Sequence, residues 1–159
     1  NERRIEPCIA PNANLTRGML VQILYNMEGK PKAQRRTSRM CRLNAWYAEA
    51  VGWQLTNKVV TGYADGTSAE CAVTREQAAA ILYRYAQSKG IDVSVGENTN
   101  ILSYVDVQQA SEYAIPALQW AVGAGVLNGK NGSRLAPTGT ATRAEIAAIM
   151  QRWCENIIK

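Results

Sequence analysis

Three stretches of this chain repeat one arrangement of apolar and polar positions. Each opens on a Thr-Arg pair behind an apolar residue: Leu15-Thr16-Arg17, Val73-Thr74-Arg75 and Ala141-Thr142-Arg143. Behind each arginine the apolar positions fall in step. Ile23, Ile81 and Ile149 stand six residues on, and Met27, Tyr85 and Trp153 ten on. Such runs, rich in alanine and leucine behind a threonine cap, predict helices. A unit recurring at intervals of 58 and 68 residues predicts a repeat architecture.

A second repeated segment precedes two of these helices. Trp46-Tyr47-Ala48-Glu49-Ala50-Val51-Gly52-Trp53 aligns with Tyr113-Ala114-Ile115-Pro116-Ala117-Leu118-Gln119-Trp120 at an offset of 67. Its aromatic and alanine positions follow the i, i+4, i+7 spacing of one helix face, and Pro116 falls near a helix start, where a missing N–H costs little. The loops Gly62-Tyr63-Ala64-Asp65-Gly66-Thr67 and Gly129-Lys130-Asn131-Gly132-Ser133 carry D-G and N-G turn signals. The unit therefore reads helix, glycine loop, helix. The first copy has only its second helix, because residues before it are few and irregular, with Pro7 and Pro11. The expected organisation is a partial unit over 1–29, a second over 30–90 with a basic linker, and a third over 91–159. About five main helices follow, with linkers over 28–44 and 87–105.

Composition narrows the chemistry. Hydrophobic residues make up 47% of the 159-residue chain, so it buries a core. No apolar run approaches the roughly 20 residues of a membrane span, and no apolar stretch follows Asn1-Glu2-Arg3-Arg4, so neither membrane insertion nor a signal peptide is expected. The net charge of +5 favours anionic partners. With no histidine, the commonest general base and metal ligand are missing. Neither a carboxylate pair nor a Ser or Cys nucleophile stands in a recognisable setting, so no catalytic residue, no metal and no cofactor is expected. The basic linker lacks interleaved aromatics, and no nucleic-acid partner is expected. Cys8, Cys41, Cys71 and Cys154 form no C-x-x-C pair; two disulfides or free thiols both fit.

The Thr-Arg helix starts are the candidate sites. Thr74…Gln77 and Thr142…Glu145 both fit the capping box, whereas Thr16…Met19 keeps only the cap. Caps account for the threonines. Arginine in a first turn faces the positive end of the helix dipole, yet all three copies carry it. Either each pairs with a carboxylate of a neighbouring unit, or it gathers an external anion together with free N–H groups of the helix start. Trp53 and Trp120 read as core residues or as sugar-stacking faces. Trp46 and Tyr47 are expected to face a groove, Tyr85 and Trp153 to pack between units, and Asp65 to form a turn.

These motifs resemble the S-layer homology family, cell-envelope anchoring modules that usually occur as three tandem repeats. The residues carrying the resemblance are Trp46 to Trp53, Val60 to Thr67 and Val73 to Gln77. The third repeat adds Tyr104-Val105-Asp106-Val107 and Ala141 to Glu145. It implies an all-α fold of helix–loop–helix repeats in a pseudo-threefold arrangement, the first incomplete. It also implies a non-catalytic module in the extracellular bacterial wall, binding secondary cell-wall polysaccharide with an acidic pyruvyl group in grooves between repeats. The family's ligand arginine maps onto Arg75 and Arg143, and onto Arg17 in the partial unit. The groove-shaping loop maps onto Gly62, Tyr63, Asp65 and Gly66, and onto Gly129 and Asn131. Trp46 and Tyr47 complete the candidate ligand-binding set. The rival expectation is protein–protein assembly, with a partner or second chain completing the first repeat.

Overall fold

A computed structural model describes residues 12–33, 46–59, 71–130 and 133–158. Among these residues five α-helices form: α1 (Arg17–Met27), α2 (Ala48–Thr56), α3 (Arg75–Ser88), α4 (Ile115–Gly123) and α5 (Arg143–Asn156). Short 3-10 turns cover Ser94–Asn98, Val107–Gln109 and Glu112–Ala114. The fold is all-α; among the described residues β pairing is confined to isolated bridges.

Three of those bridges make the hub of the molecule. Leu15 N–H donates to the Ala141 carbonyl at 3.0 Å, Ala141 N–H to Val73 at 2.9 Å, and Val73 N–H to Leu15 at 2.9 Å. The ring closes on itself. A second ring runs outside it: Arg17 N–H donates to Cys71 O at 3.1 Å, Arg75 N–H to Gly139 O at 2.9 Å, and Arg143 N–H to Ala13 O at 2.9 Å. The residues immediately before the three threonines are thus paired head to tail. Leu15, Val73 and Ala141 are all buried there. Apolar residues at these positions give the ring a dry environment, in which backbone bonds are stronger and unpaired groups costlier.

Helices α1, α3 and α5 each start just beyond this hub, and one core includes residues of all three. Leu20, Leu24, Ile81, Leu82, Ile146 and Ile149 belong to it, with Leu118 of α4. A chain of aromatic rings threads the core from Tyr25 to Trp53, Tyr85, Trp153 and Trp120, with successive centroids 5.5–6.1 Å apart. Trp53 and Trp120 are therefore core residues. Tyr85 and Trp153, the positions ten after the arginines, pack against each other between α3 and α5. Tyr85 also donates its hydroxyl to Glu28 at the end of α1, and Lys89 shares that carboxylate. Burial first, and then the adjacent Glu28 charge, hold the Tyr85 hydroxyl well above its ordinary pKa.

The segment 87–105, expected to be a linker, is instead part of the fold. Its Ser94–Asn98 turn lies directly on α4. Gly96 makes this approach feasible, since a Cβ there would stand 2.9 Å from the Trp120 backbone nitrogen. Pro116 falls in the first turn of α4, where it removes no helical bond. The two first-type helices end alike. Gly125 closes α4 with φ +74° and Lys58 closes α2 with φ +56°, both in the left-handed conformation that suits glycine.

Candidate functional site

The Thr caps form as expected. The oxygens of Thr16, Thr74 and Thr142 accept from the N–H groups of Met19, Gln77 and Glu145. The full capping box forms at α3, where Gln77 returns to the Thr74 N–H at 3.0 Å. At α5 that return bond does not form. Glu145 is turned outward instead, with Oε2 3.3 Å from Arg75 Nη1 and Oε1 2.9 Å from Lys130 Nζ. A charged guanidinium outcompetes a single backbone N–H for the carboxylate.

Arg75 is the best-defined member of the site. Its side chain is buried, and three of its donors are placed: Nε to Leu135 O at 2.9 Å, Nη2 to Asn128 O at 2.7 Å, and Nη1 to Glu145. The guanidinium of α3 therefore clamps the loop between α4 and α5. The helix start beside it offers nothing further. Arg75 N–H donates to Gly139 O, Glu76 N–H to Pro137 O, Gln77 N–H to the Thr74 hydroxyl and Ala78 N–H to Thr74 O. The expectation that free first-turn N–H groups share the anion is not met at α3, because Thr74 and the 137–139 backbone consume them.

Asp106 supports the clamp from behind. Its carboxylate is buried and accepts from Leu135 N–H and Ala136 N–H, both at 2.8 Å. Leu135 thus receives Asp106 on its N–H and Arg75 on its carbonyl. Burial alone raises the Asp106 pKa. Backbone N–H bonds from Leu135, Ala136 and its own residue, with the Arg134 charge, outweigh this, and the net shift is downward. Ala136 is held at φ +50° beside it. On the other side of the arginine, buried Glu76 accepts from both the N–H and the hydroxyl of Ser111 at 2.8 Å, tying α3 to the approach to α4.

The remaining candidates lie as follows. Arg17 is buried at the start of α1 and Arg143 half-buried at the start of α5. Gly129 opens the loop beside Arg75's partner Asn128, and a Cβ there would meet Tyr104 Cε1 at 2.6 Å and the Arg134 carbonyl at 3.0 Å. Trp46 is 64% exposed, while Tyr47, edge-on to it at 5.1 Å, is buried with Ala48 and Val51. Gly62, Tyr63, Asp65, Gly66 and Asn131 lie outside the described residues, as do Cys8 and Cys41. Cys71 and Cys154 are both exposed. Reading by sequence missed Lys130, Glu145 as an ion-pair partner, and Asp106 as loop anchor. The Tyr104–Val107 motif was the available signal for Asp106; nothing local marked the other two.

Among the described residues no group of metal-binding side chains forms and no helix is long and apolar enough to cross a membrane. Comparison with known proteins finds a family match over part of the chain. Residues 103–147 match the S-layer homology domain. The chain is 27% identical to an amylopullulanase of Thermoanaerobacterium thermosulfurigenes over 141 residues, 88% of this chain and 8% of that protein. It is 30% identical to exoglucanase XynX of Acetivibrio thermocellus over 105 residues, 66% of this chain and 10% of that one. The chain spans a tenth or less of the length of these curated relatives. The matched stretch contains Asp106, Asn128, Lys130, Leu135 and Glu145, the residues gathered around Arg75, together with Gly129 and Arg143. Residues 103–147 accordingly carry an S-layer homology domain, a non-catalytic module of the family that anchors proteins to the cell wall.

Proposed function

We propose that this chain anchors its parent protein to the bacterial wall by binding an acidic, pyruvylated secondary cell-wall polysaccharide. Its carboxylate is taken at the arginine-bearing helix starts. The observation that carries this reading is the α3 site: a buried guanidinium fixed by two backbone carbonyls, which shares the Glu145 carboxylate with Lys130, itself 42% exposed. Two cations converging on one carboxylate make an anion site by charge, without help from helix N–H groups. Arg143 and Arg17 are the counterparts at α5 and α1. The loops bearing Gly62, Tyr63, Asp65 and Gly66, and Gly129 and Asn131, would wall the grooves, with Trp46 and Tyr47 alongside. The three units, 1–29, 30–90 and 91–159, would surround the hydrogen-bonded hub in a pseudo-threefold arrangement, the first completed by a partner or a second copy.

Isothermal titration with purified wall polysaccharide, before and after mild acid removal of its pyruvyl groups, tests this. Binding should require the pyruvyl group and weaken in Arg143→Ala and in Arg75→Lys, with circular dichroism confirming the fold. Equal binding of the treated and untreated polymers sinks the reading. A second reading has its own support, because Arg75 is satisfied within the fold: the arginines act as assembly clamps, and the module joins proteins to one another. In that case the parent binds no wall polymer and its solution mass exceeds that of a monomer.

A further inference from the structure

We infer that Glu145 is a built-in competitor for the α3 anion site, a carboxylate that the ligand's own carboxylate must displace. The inference rests on Arg75 being an anion site. Of the three partners of the Arg75 guanidinium, Leu135 O and Asn128 O are backbone groups fixed by the fold. Glu145 alone is a side chain able to rotate away, and it is 24% exposed. It bridges Arg75 and Lys130 as a bound carboxylate would, with one oxygen to each.

The displaced side chain has somewhere to go. At α3 the equivalent residue, Gln77, turns back to the Thr74 N–H and completes a capping box. Glu145 stands at the same position of α5 behind Thr142, so rotation toward the Thr142 N–H would complete the second box and place its charge at the favourable end of the helix dipole. Two positions for one carboxylate, one closing the site and one opening it, give an exchange that an anion can drive through its preference for the open state. Of the three helix starts, only α5 has a carboxylate here; α3 has Gln77 and α1 has Met19. Glu145 therefore makes the α3 site one that admits only ligands anionic enough to replace it.

The test is calorimetric titration of the full chain with a pyruvate ketal of a methyl hexoside and with its methyl ester, which has the same shape without the charge. Glu145→Gln should bind the acid about two- to fivefold more tightly than the parent, the scale of a partly exposed ion pair, and the ester no better. The gain should vanish in the Arg75→Lys, Glu145→Gln double variant. Glu145→Asp, whose carboxylate is one methylene short of Arg75, should show the same gain and serves if Glu145→Gln misfolds. Folded Glu145 variants that bind the acid no more tightly than the parent overturn the displacement while leaving the anion site standing. If neither parent nor variants bind the acid, the anion site itself is wrong and the displacement falls with it.

Discussion

Asp106→Asn should destabilise the module by removing the support behind Arg75. The carboxylate accepts two N–H bonds at 2.8 Å, from Leu135 and Ala136, in a setting only 8% exposed. Hydrogen bonds to a charged group contribute about 1.5–3 kcal/mol each. Asparagine keeps one acceptor oxygen, so one N–H retains a weaker, neutral bond and the other faces an amide NH2. The expected loss is about 2–3 kcal/mol, the result of one lost charged bond and one weakened one. For a domain of this size each kcal/mol lowers the melting temperature by about 2–4 °C, so a drop of about 5–10 °C is expected at pH 7. The acid profile adds a second signature. The folded Asp106 pKa lies below its ordinary value, so its contribution is complete above the unfolded value of about 3.9 and disappears as the pH falls through the folded one. The gap between parent and Asp106→Asn should therefore begin to narrow below about pH 4 and go on closing as the pH falls through the folded pKa. Urea unfolding followed by circular dichroism between pH 3 and 7 measures both. A variant that melts with the parent at pH 7, or a gap that stays constant into acid, would refute the role given to these bonds.

Lys58→Gly should stabilise the chain by about 1 kcal/mol, because Lys58 holds φ +56° where the equivalent helix end has Gly125; a lower urea midpoint than the parent's would count against it. Gly129→Ala should cost about 1–3 kcal/mol, since the new Cβ meets the Tyr104 ring and the immovable Arg134 carbonyl, and an unchanged melting temperature would contradict that packing. Thr74→Ala should cost about 1 kcal/mol by removing the acceptor for Gln77 N–H, as read in thermal unfolding.

The five helices were legible because their signals are local. Periodicity, the Thr caps, Pro116 and the glycine turns each act within one or two turns of chain, and the aromatic positions ten after the arginines did meet in the core. The partners of Arg75 were not legible in the same way. The arginine could be recognised as misplaced against the helix dipole, but Asn128, Leu135 and Glu145 lie 53 to 70 residues away, and spacing along the chain does not encode which carbonyl a guanidinium reaches. The same limit explains the segment 87–105, which reads as a linker because its contact with α4 depends on the absence of a side chain at Gly96. It also explains the α3 helix start. Thr74 takes the N–H groups of Gln77 and Ala78 locally, but those of Arg75 and Glu76 go to Gly139 and Pro137, more than 60 residues away along the chain.

The most direct measurement is the affinity of the full chain for pyruvylated wall polysaccharide set beside that for the same polymer stripped of pyruvate. If the arginine-bearing helix starts hold the acidic group, the native polymer binds and the stripped one loses most of that affinity, as does the native polymer with Arg75→Lys or Arg143→Ala. If both polymers bind alike, or neither binds, the helix starts are clamps of the fold and the wall is held elsewhere.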